Sequence, residues 1–353
     1  MVLAAALAQG PPQLPDAPPV GRKAAGAAAS AEAAPGFVLG VVLDGRLTAV
    51  HADGLADLAA RTPIGRETVF RIASTSKQFT AACIALLEER GVLSPRTPLA
   101  TFFPEAPDWA SRVEIRHLVH HRSGLPDYLD LHRTEVFTPA ESLELLLGLE
   151  RLRFRPGARF EYSNSNYLLL AEVVSRAAGV PFPEFARREL FEPLGMRHSH
   201  FHDDPSHEVP HAAHGYRFER GKGWTMVDTP LAHVGDGGLF TTVGDLARWA
   251  AELQEPRVLG RDWLRRMTTP WPSAPDRPGE GYAYGLDVVT VPRLGRVLTH
   301  DGAYDGFLAE FLVLRDAPLA VIVLANREDV PVSRLARRTA RAVLEADDRP
   351  SER

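Results

Sequence analysis

The feature that most limits what this chain can fold into is the separation of strand-like and helical patterning along it. Residues 37–43 are an unbroken apolar run of strand length, Asp44-Gly45 follows as a two-residue hairpin turn, and residues 47–51 return as a partner strand. Four more strand-like runs lie near the other end, at 282–291, 296–300, 307–314 and 319–324, and a helical pattern over 332–344 follows them. Between the two groups the apolar residues fall at helical spacing. Residues 74–90 carry Phe79, Ala82, Cys83, Leu86 and Leu87 on one face and stop at Gly91. Thr138-Pro139-Ala140-Glu141 is a capping box with proline in the first turn, predicting a helix to about Leu147. A third helix is predicted over 165–178, ending at Gly179, and a fourth from Thr242 to Leu253 with Asp245 in the reciprocal capping position.

Strands at both ends and helices between them predict an α+β fold. One antiparallel sheet is built from both termini (36–72 and 282–346) and flanked by helices, with a mainly helical insertion over about 74–270. The folded unit is expected over 36–346, and residues 347–353 read as a tail. Residues 1–35, rich in Ala, Pro and Gly, read as a flexible tether. Its first ten residues carry an Ala-Leu-Ala stretch before Gln9 like the end of a secretory signal, although no Lys or Arg precedes it; export is the expectation.

Composition narrows the function classes. Lys and Arg are scattered in a chain of net charge −5, which argues against a nucleic-acid partner. The single cysteine, Cys83, allows no internal disulfide and falls on an apolar helical face, so it reads as a core residue. No run reaches the ~20 apolar residues needed to span a bilayer.

Chemistry concentrates in three segments. Ser74-Thr75-Ser76-Lys77 opens the first helix, where an i, i+3 pair shares a face and the lysine amine can reach the serine hydroxyl. By itself this pair is weak evidence, because a capping serine and a solvated lysine look the same. Tyr162-Ser163-Asn164 precedes another helix and offers a tyrosine that can share protons with Lys77 and an asparagine that can bind a substrate amide. His300-Asp301-Gly302 follows a predicted strand; the glycine would let a substrate approach the backbone, and the histidine would add a polar or cationic group.

In this order the motifs resemble those of the β-lactamase and penicillin-binding-protein superfamily, in the branch of class C β-lactamases, DD-peptidases and related esterases. The matching stretches are 70–80 (FRIASTSKQFT), 121–126 (HRSGLP), Pro156-Gly157 through Tyr162-Ser163-Asn164, 237–242 (GGLFTT) and 323–326 (VLAN). The resemblance implies a β-lactamase/transpeptidase-like fold with Ser74 as nucleophile, Lys77 as its basic partner and Tyr162 as second proton carrier. It implies that Asn164 contacts the substrate amide and that His300 takes the first place of the family's Lys-Thr-Gly strand. The oxyanion hole would come from the backbone N–H groups of Ser74 and Ala303, after Gly302, with Tyr128 on the rim.

Two departures matter. His300 stands for the lysine of class C β-lactamases, and Asp301 for the Thr or Ser that would contact a substrate carboxylate. An inward Asp301 would repel an anion, and an outward one would do nothing. The expected activity is a serine hydrolase working through an acyl-enzyme on an amide, peptide or ester, with D-amino-acid peptides or small esters favoured. The rivals are a true β-lactamase or DD-transpeptidase, and a non-catalytic binding or assembly protein of the same fold. No cofactor is implied, and the partner is a small molecule or short peptide, with oligomeric state left open.

Three other signals are set aside. Six histidines and two aspartates within 198–214 invite a metal, but their spacing fits no ordinary zinc pattern. Gly237-Gly238 lacks the Lys-Ser/Thr of a phosphate loop. His120-His121 reads as a packed helix end.

Overall fold

The computed structural model describes residues 33–134, 136–227, 231–272 and 279–347. The tether expected over 1–35 and the tail over 347–353 fall almost wholly outside the described residues. The strands of the main sheet are β1 (Phe37–Leu43), β2 (Arg46–Asp53), β3 (Gly281–Tyr282), β4 (Asp287–Val291), β5 (Gly295–Tyr304), β6 (Phe307–Leu314) and β7 (Leu319–Ala325). They form one seven-stranded antiparallel sheet in the order β3-β4-β5-β6-β7-β1-β2, so the two ends of the chain do meet in a single sheet.

The pleat sorts β1 into two cores. Phe37, Leu39 and Val41 face one side, where α4 (Val332–Asp347) lies across the sheet through Val332, Ala336 and Ala340. Val38 and Val42 face the helical body, which includes α1 (Lys77–Glu89), α2 (Asn164–Ala178) and α3 (Val243–Gln254). α3 packs so close that a Cβ on Gly40 would lie 2.5 Å from a Val243 methyl. The Thr138 capping box forms as predicted, with Thr138 N–H donating to Glu141 at 2.7 Å and Glu141 N–H to Thr138 Oγ1 at 3.2 Å. Thr242 caps α3, but Asp245 does not reciprocate; its carboxylate accepts from His198 N–H and the Ser199 hydroxyl instead.

The structure corrects the sequence reading in three further places. The N-terminal share of the main sheet ends at Asp53, not at residue 72. Leu55–Asp57 pairs with Thr62–Pro63 in a separate ribbon, and Phe70–Arg71 joins a small sheet centred on Leu239–Thr241 with His200–Phe201 on its far edge. The strand expected over 282–291 is broken between Tyr282 and Asp287. Gly285 there has φ +70°, and a Cβ on it would lie 2.5 Å from Gln78 N, because this turn presses on the start of α1. The strand expected over 296–300 continues to Tyr304, which puts His300, Asp301 and Gly302 inside β5 rather than after it.

Asn326, at the end of β7, ties distant segments together. Its Oδ1 accepts from Gly36 N–H at 2.8 Å, and its Nδ2 donates to Leu55 O at 3.0 Å and His214 O at 2.9 Å. No helix among the described residues is long and apolar enough to cross a membrane.

Candidate active site

Ser74 does not open an α-helix directly. It sits in a 3-10 turn, Ala73–Ser76, that leads into α1. Ala73 has φ +47°, a left-handed value that costs a non-glycine residue about 1–3 kcal/mol and persists only where the surroundings enforce it. The surroundings are specific. Thr75 Oγ1 donates to the His300 carbonyl at 3.4 Å, Leu239 N–H donates to Ser76 Oγ at 3.2 Å, and Ile72 N–H donates to Leu239 O at 3.1 Å. The turn is therefore clamped between β5 and the small sheet, which fixes the direction of the Ser74 hydroxyl.

Lys77 is fully buried, and its amine reaches three oxygens: Ser74 Oγ at 3.1 Å, Asn164 Oδ1 at 2.7 Å and the Asp236 carbonyl at 2.7 Å. The ring centroid of Tyr162 lies 5.0 Å from Lys77 Nζ. This geometry serves both protonation states. An ammonium donates to all three oxygens, while a neutral amine donates to Asn164 and Asp236 and accepts the Ser74 hydroxyl proton. A proton can thus pass between Ser74 and Lys77 without any side chain moving.

Asn164 is placed differently from expectation. Its Oδ1 is taken by Lys77, while its Nδ2 donates to Asp127 Oδ2 at 3.0 Å and its backbone N–H donates to the same oxygen at 2.8 Å. One Nδ2 hydrogen is left for a substrate amide. Asp127 was missed by sequence reasoning; in the run Gly124-Leu125-Pro126-Asp127 it reads as an ordinary turn residue. Its burial raises its pKa, and the bonds from Asn164 and Leu129 act the other way.

Tyr162 is half-exposed, and its ring packs against His121 at a tilt, with ring centroids 4.3 Å apart. Its hydroxyl makes no hydrogen bond to Ser74 or Lys77 among the described residues. Tyr128 is buried rather than on the rim, donating to Asp236 Oδ2 at 2.9 Å and stacking on His233. Ser74, Tyr128, Asn164, Asp236, Gly237 and Ala303 line one cavity of about 100 Å³, which brings both expected oxyanion donors to the same space.

His300 is buried, and both ring nitrogens are occupied. Nδ1 lies 2.5 Å from the Asp301 carbonyl, which can only accept, so Nδ1 carries the proton and Nε2 accepts from the Tyr282 hydroxyl at 3.0 Å. Burial, reinforced by the charge of Lys77, pulls its pKa down to about 4. His300 is therefore neutral near pH 7 and does not supply the cation that its position suggested. Gly302 also has another reason to be glycine. A Cβ there would lie 2.2 Å from the Ile72 carbonyl, so the close approach it permits is that of the Ser74 turn. Asp301 pairs across the sheet with Glu310 and lies on the face opposite His300, away from Ser74.

The histidines of 198–214 do not converge. Among the described residues no three His, Cys, Asp or Glu side chains form a group able to hold a metal. His120 is packed, its Nδ1 2.8 Å from the Tyr282 carbonyl.

Comparison with known proteins agrees with this geometry. The beta-lactamase family model matches residues 22–346. Penicillin-binding protein 4* of Bacillus subtilis is 28% identical over 302 residues, covering 79% of this chain and 65% of that protein. A D-aminopeptidase of Cereibacter sphaeroides is 30% identical over 301 residues, covering 83% of this chain and 57% of that protein. The chain thus spans about six-tenths of the length of these curated relatives. Among solved structures, the octameric penicillin-binding protein homologue from Pyrococcus abyssi superposes with a TM-score of 0.80 at 28% identity, covering 88% of this chain and 74% of that one. With the fold, the clamped Ser74 turn and a family match over most of its length, the chain belongs to the beta-lactamase family.

Proposed function

We propose that this chain is a serine hydrolase that cleaves amide, peptide or ester carbonyls through an acyl-enzyme. The observation that carries the reading is the 3.1 Å contact between Lys77 Nζ and Ser74 Oγ, with the amine held on its other sides by Asn164 and Asp236. Ser74 Oγ attacks the carbonyl carbon while its proton passes to Lys77. The oxyanion is held by the backbone N–H groups of Ser74 and Ala303, and Tyr162 carries the proton to the leaving group. Water then attacks the ester, and Ser74 recovers its proton. The second hydrogen of Asn164 Nδ2 binds the substrate amide.

D-amino-acid peptides and small esters are the favoured substrates. The names of the relatives, D-aminopeptidase and penicillin-binding protein, support the former. A true β-lactamase or DD-transpeptidase is the second reading, disfavoured at one point: the neutral His300 gives no fixed charge for a lactam's carboxylate. A non-catalytic binding role fits poorly with an intact Ser-Lys-Tyr-Asn set.

The test is incubation with a fluorophosphonate followed by mass spectrometry, alongside turnover of p-nitrophenyl acetate. An adduct on Ser74 that is absent from Ser74→Ala is expected. No adduct and no ester turnover would sink the reading. Comparing ester, D-Ala-D-Ala peptide and cephalosporin turnover separates the enzymatic alternatives.

A further inference from the structure

Arg71 is a buried arginine without an ion pair among the described residues. It lies three residues before Ser74 on the short strand Phe70–Arg71, whose pairing with Phe240 and Thr241 fixes its backbone relative to the nucleophile. The side chain is 9% exposed, and no carboxylate comes within ion-pairing distance among the described residues. Among the described residues its one hydrogen bond is a long one, from a terminal nitrogen to the Leu231 carbonyl at 3.4 Å, and its Nε has no hydrogen-bond partner. The guanidinium stacks over the Tyr304 ring at 4.4 Å, so its plane is held while most of its donors remain unused.

Its location gives that unused capacity a direction. Arg71 and Leu231 line the nucleophile's cavity, and the same two residues line a larger cleft of about 660 Å³. The guanidinium therefore stands at the junction between the space beside Ser74 and this larger cleft. Burial lowers its pKa, while Tyr304, Asp236 and Asp305 act the other way; a guanidinium nevertheless keeps its charge in proteins. A buried charge of this kind is stable when a planar anion meets its fork of donors. Meanwhile the strand position where such a cation was expected holds the neutral His300.

We infer that Arg71 is the anion-binding subsite of this enzyme, and that the preferred substrates carry a carboxylate that reaches the junction between the two cavities. The inference rests on the serine hydrolase reading and extends it. The carboxylate can belong to either half of the substrate: a terminal carboxylate on the acyl chain, or the C-terminus of a peptide on the leaving side. The Tyr304 ring that supports Arg71 follows Ala303 directly, so the strand that offers an oxyanion donor also fixes the anion site.

The experiment uses matched probes. p-Nitrophenyl hydrogen glutarate is compared with its methyl ester, and N-acetyl-D-Ala-D-Ala with its C-terminal amide, for the wild type, Arg71→Lys and Arg71→Gln. At least one pair is expected to favour the acid in kcat/KM by roughly ten- to hundred-fold, and the pair that does so identifies the side on which the carboxylate lies. Arg71→Gln should remove that preference, and Arg71→Lys should retain part of it. Since Arg71 is buried and its variants can fold poorly, a readout on the unaltered protein is added. N-acetyl-D-alanine should inhibit p-nitrophenyl acetate hydrolysis at least about ten-fold more tightly than N-acetyl-D-alaninamide. Equal turnover of acid and neutral probes in both pairs, or equal inhibition, overturns the inference while leaving the hydrolase reading intact. Absence of any Ser74 adduct and any ester turnover removes both.

Discussion

Asp127 grips Asn164 from two sides, accepting its backbone N–H at 2.8 Å and its side-chain Nδ2 at 3.0 Å on a single oxygen. An asparagine side chain has two nearly isosteric ends, and this grip decides which one faces Lys77. With Nδ2 committed to Asp127, Oδ1 must point to the amine, 2.7 Å away. Asp127→Ala leaves the amide free to rotate and offer a donor to a donor. Its kcat on p-nitrophenyl acetate should fall by up to ~10²-fold with KM little changed, since it is the alignment of Lys77 that is lost. Equal kcat in variant and wild type would show that the grip is incidental.

Lys77→Ala removes the only basic side chain in contact with the Ser74 hydroxyl among the described residues. The expected loss is about 10²–10⁴-fold in kcat, the usual range for a positioned general base. Because Lys77 is fully buried, thermal unfolding should be followed in parallel to separate lost chemistry from lost folding.

Tyr162→Phe is the sharper test of the proposed second proton carrier. The ring of this half-exposed residue, with its contacts to His121 and Lys77, is kept, and only the hydroxyl is deleted. Stability should shift by no more than ~0.5 kcal/mol, as for ordinary surface changes. Turnover should fall by about 10²-fold or more if the hydroxyl moves the proton. Unchanged turnover would leave Tyr162 as a wall of the lysine's cage.

Gly302→Ala should destabilise the protein although alanine suits a strand. The added methyl would sit 2.2 Å from the Ile72 carbonyl, so β5 and the Ser74 turn must separate. Overpacking of this kind costs about 1–3 kcal/mol, readable as a lowered urea midpoint, with kcat reduced as Ser74 shifts.

The buried imidazole of His300 makes stability depend on pH in a defined window. In the folded protein it stays neutral down to about 4, while the ordinary value in an unfolded chain is near 6.5. Between these limits the unfolded chain binds more protons, so this group lowers stability as pH falls from 6.5 to 4 and has no effect above that window. His300→Gln should make that slope shallower by up to ~1.4 kcal/mol per pH unit in urea unfolding at several pH values. The comparison has to be variant against wild type. Burial raises Glu88 to about 7 and Asp287 to about 6, and those groups favour the folded state at lower pH.

The strand-helix-strand plan and the Ser74–Lys77 pair were legible because each is local. Periodicity marks a buried strand, and i, i+3 spacing puts two side chains on one face. The errors concern contacts between segments. The motif placed His300 correctly in sequence, but the Tyr282 hydroxyl that occupies its Nε2 becomes a neighbour only once β3 and β5 are in place. Gly302 was read as room for a substrate when the room is filled by Ile72. Tyr128 was expected on the rim, but its hydroxyl is drawn inward by Asp236, 108 residues further on. Asp127 carried no signal, since a turn aspartate beside a proline is ordinary until the first residue of α2 arrives against it.

The bond from Gly36 to Asn326, across 290 residues, has a consequence for how the protein is made. β1 leaves the ribosome long before β7, its second neighbour in the sheet. At ordinary translation speeds of ~5–20 residues per second, roughly 15–60 s pass before that partner exists. For that interval an apolar strand with both faces meant for burial has one unpaired edge, a site for wrong pairing with a neighbouring chain. β5, which clamps the Ser74 turn through the His300 carbonyl, is also a late arrival. A nascent chain is therefore sticky before it can be active, and its yield should depend on translation tempo and chaperone supply more than its finished stability would suggest.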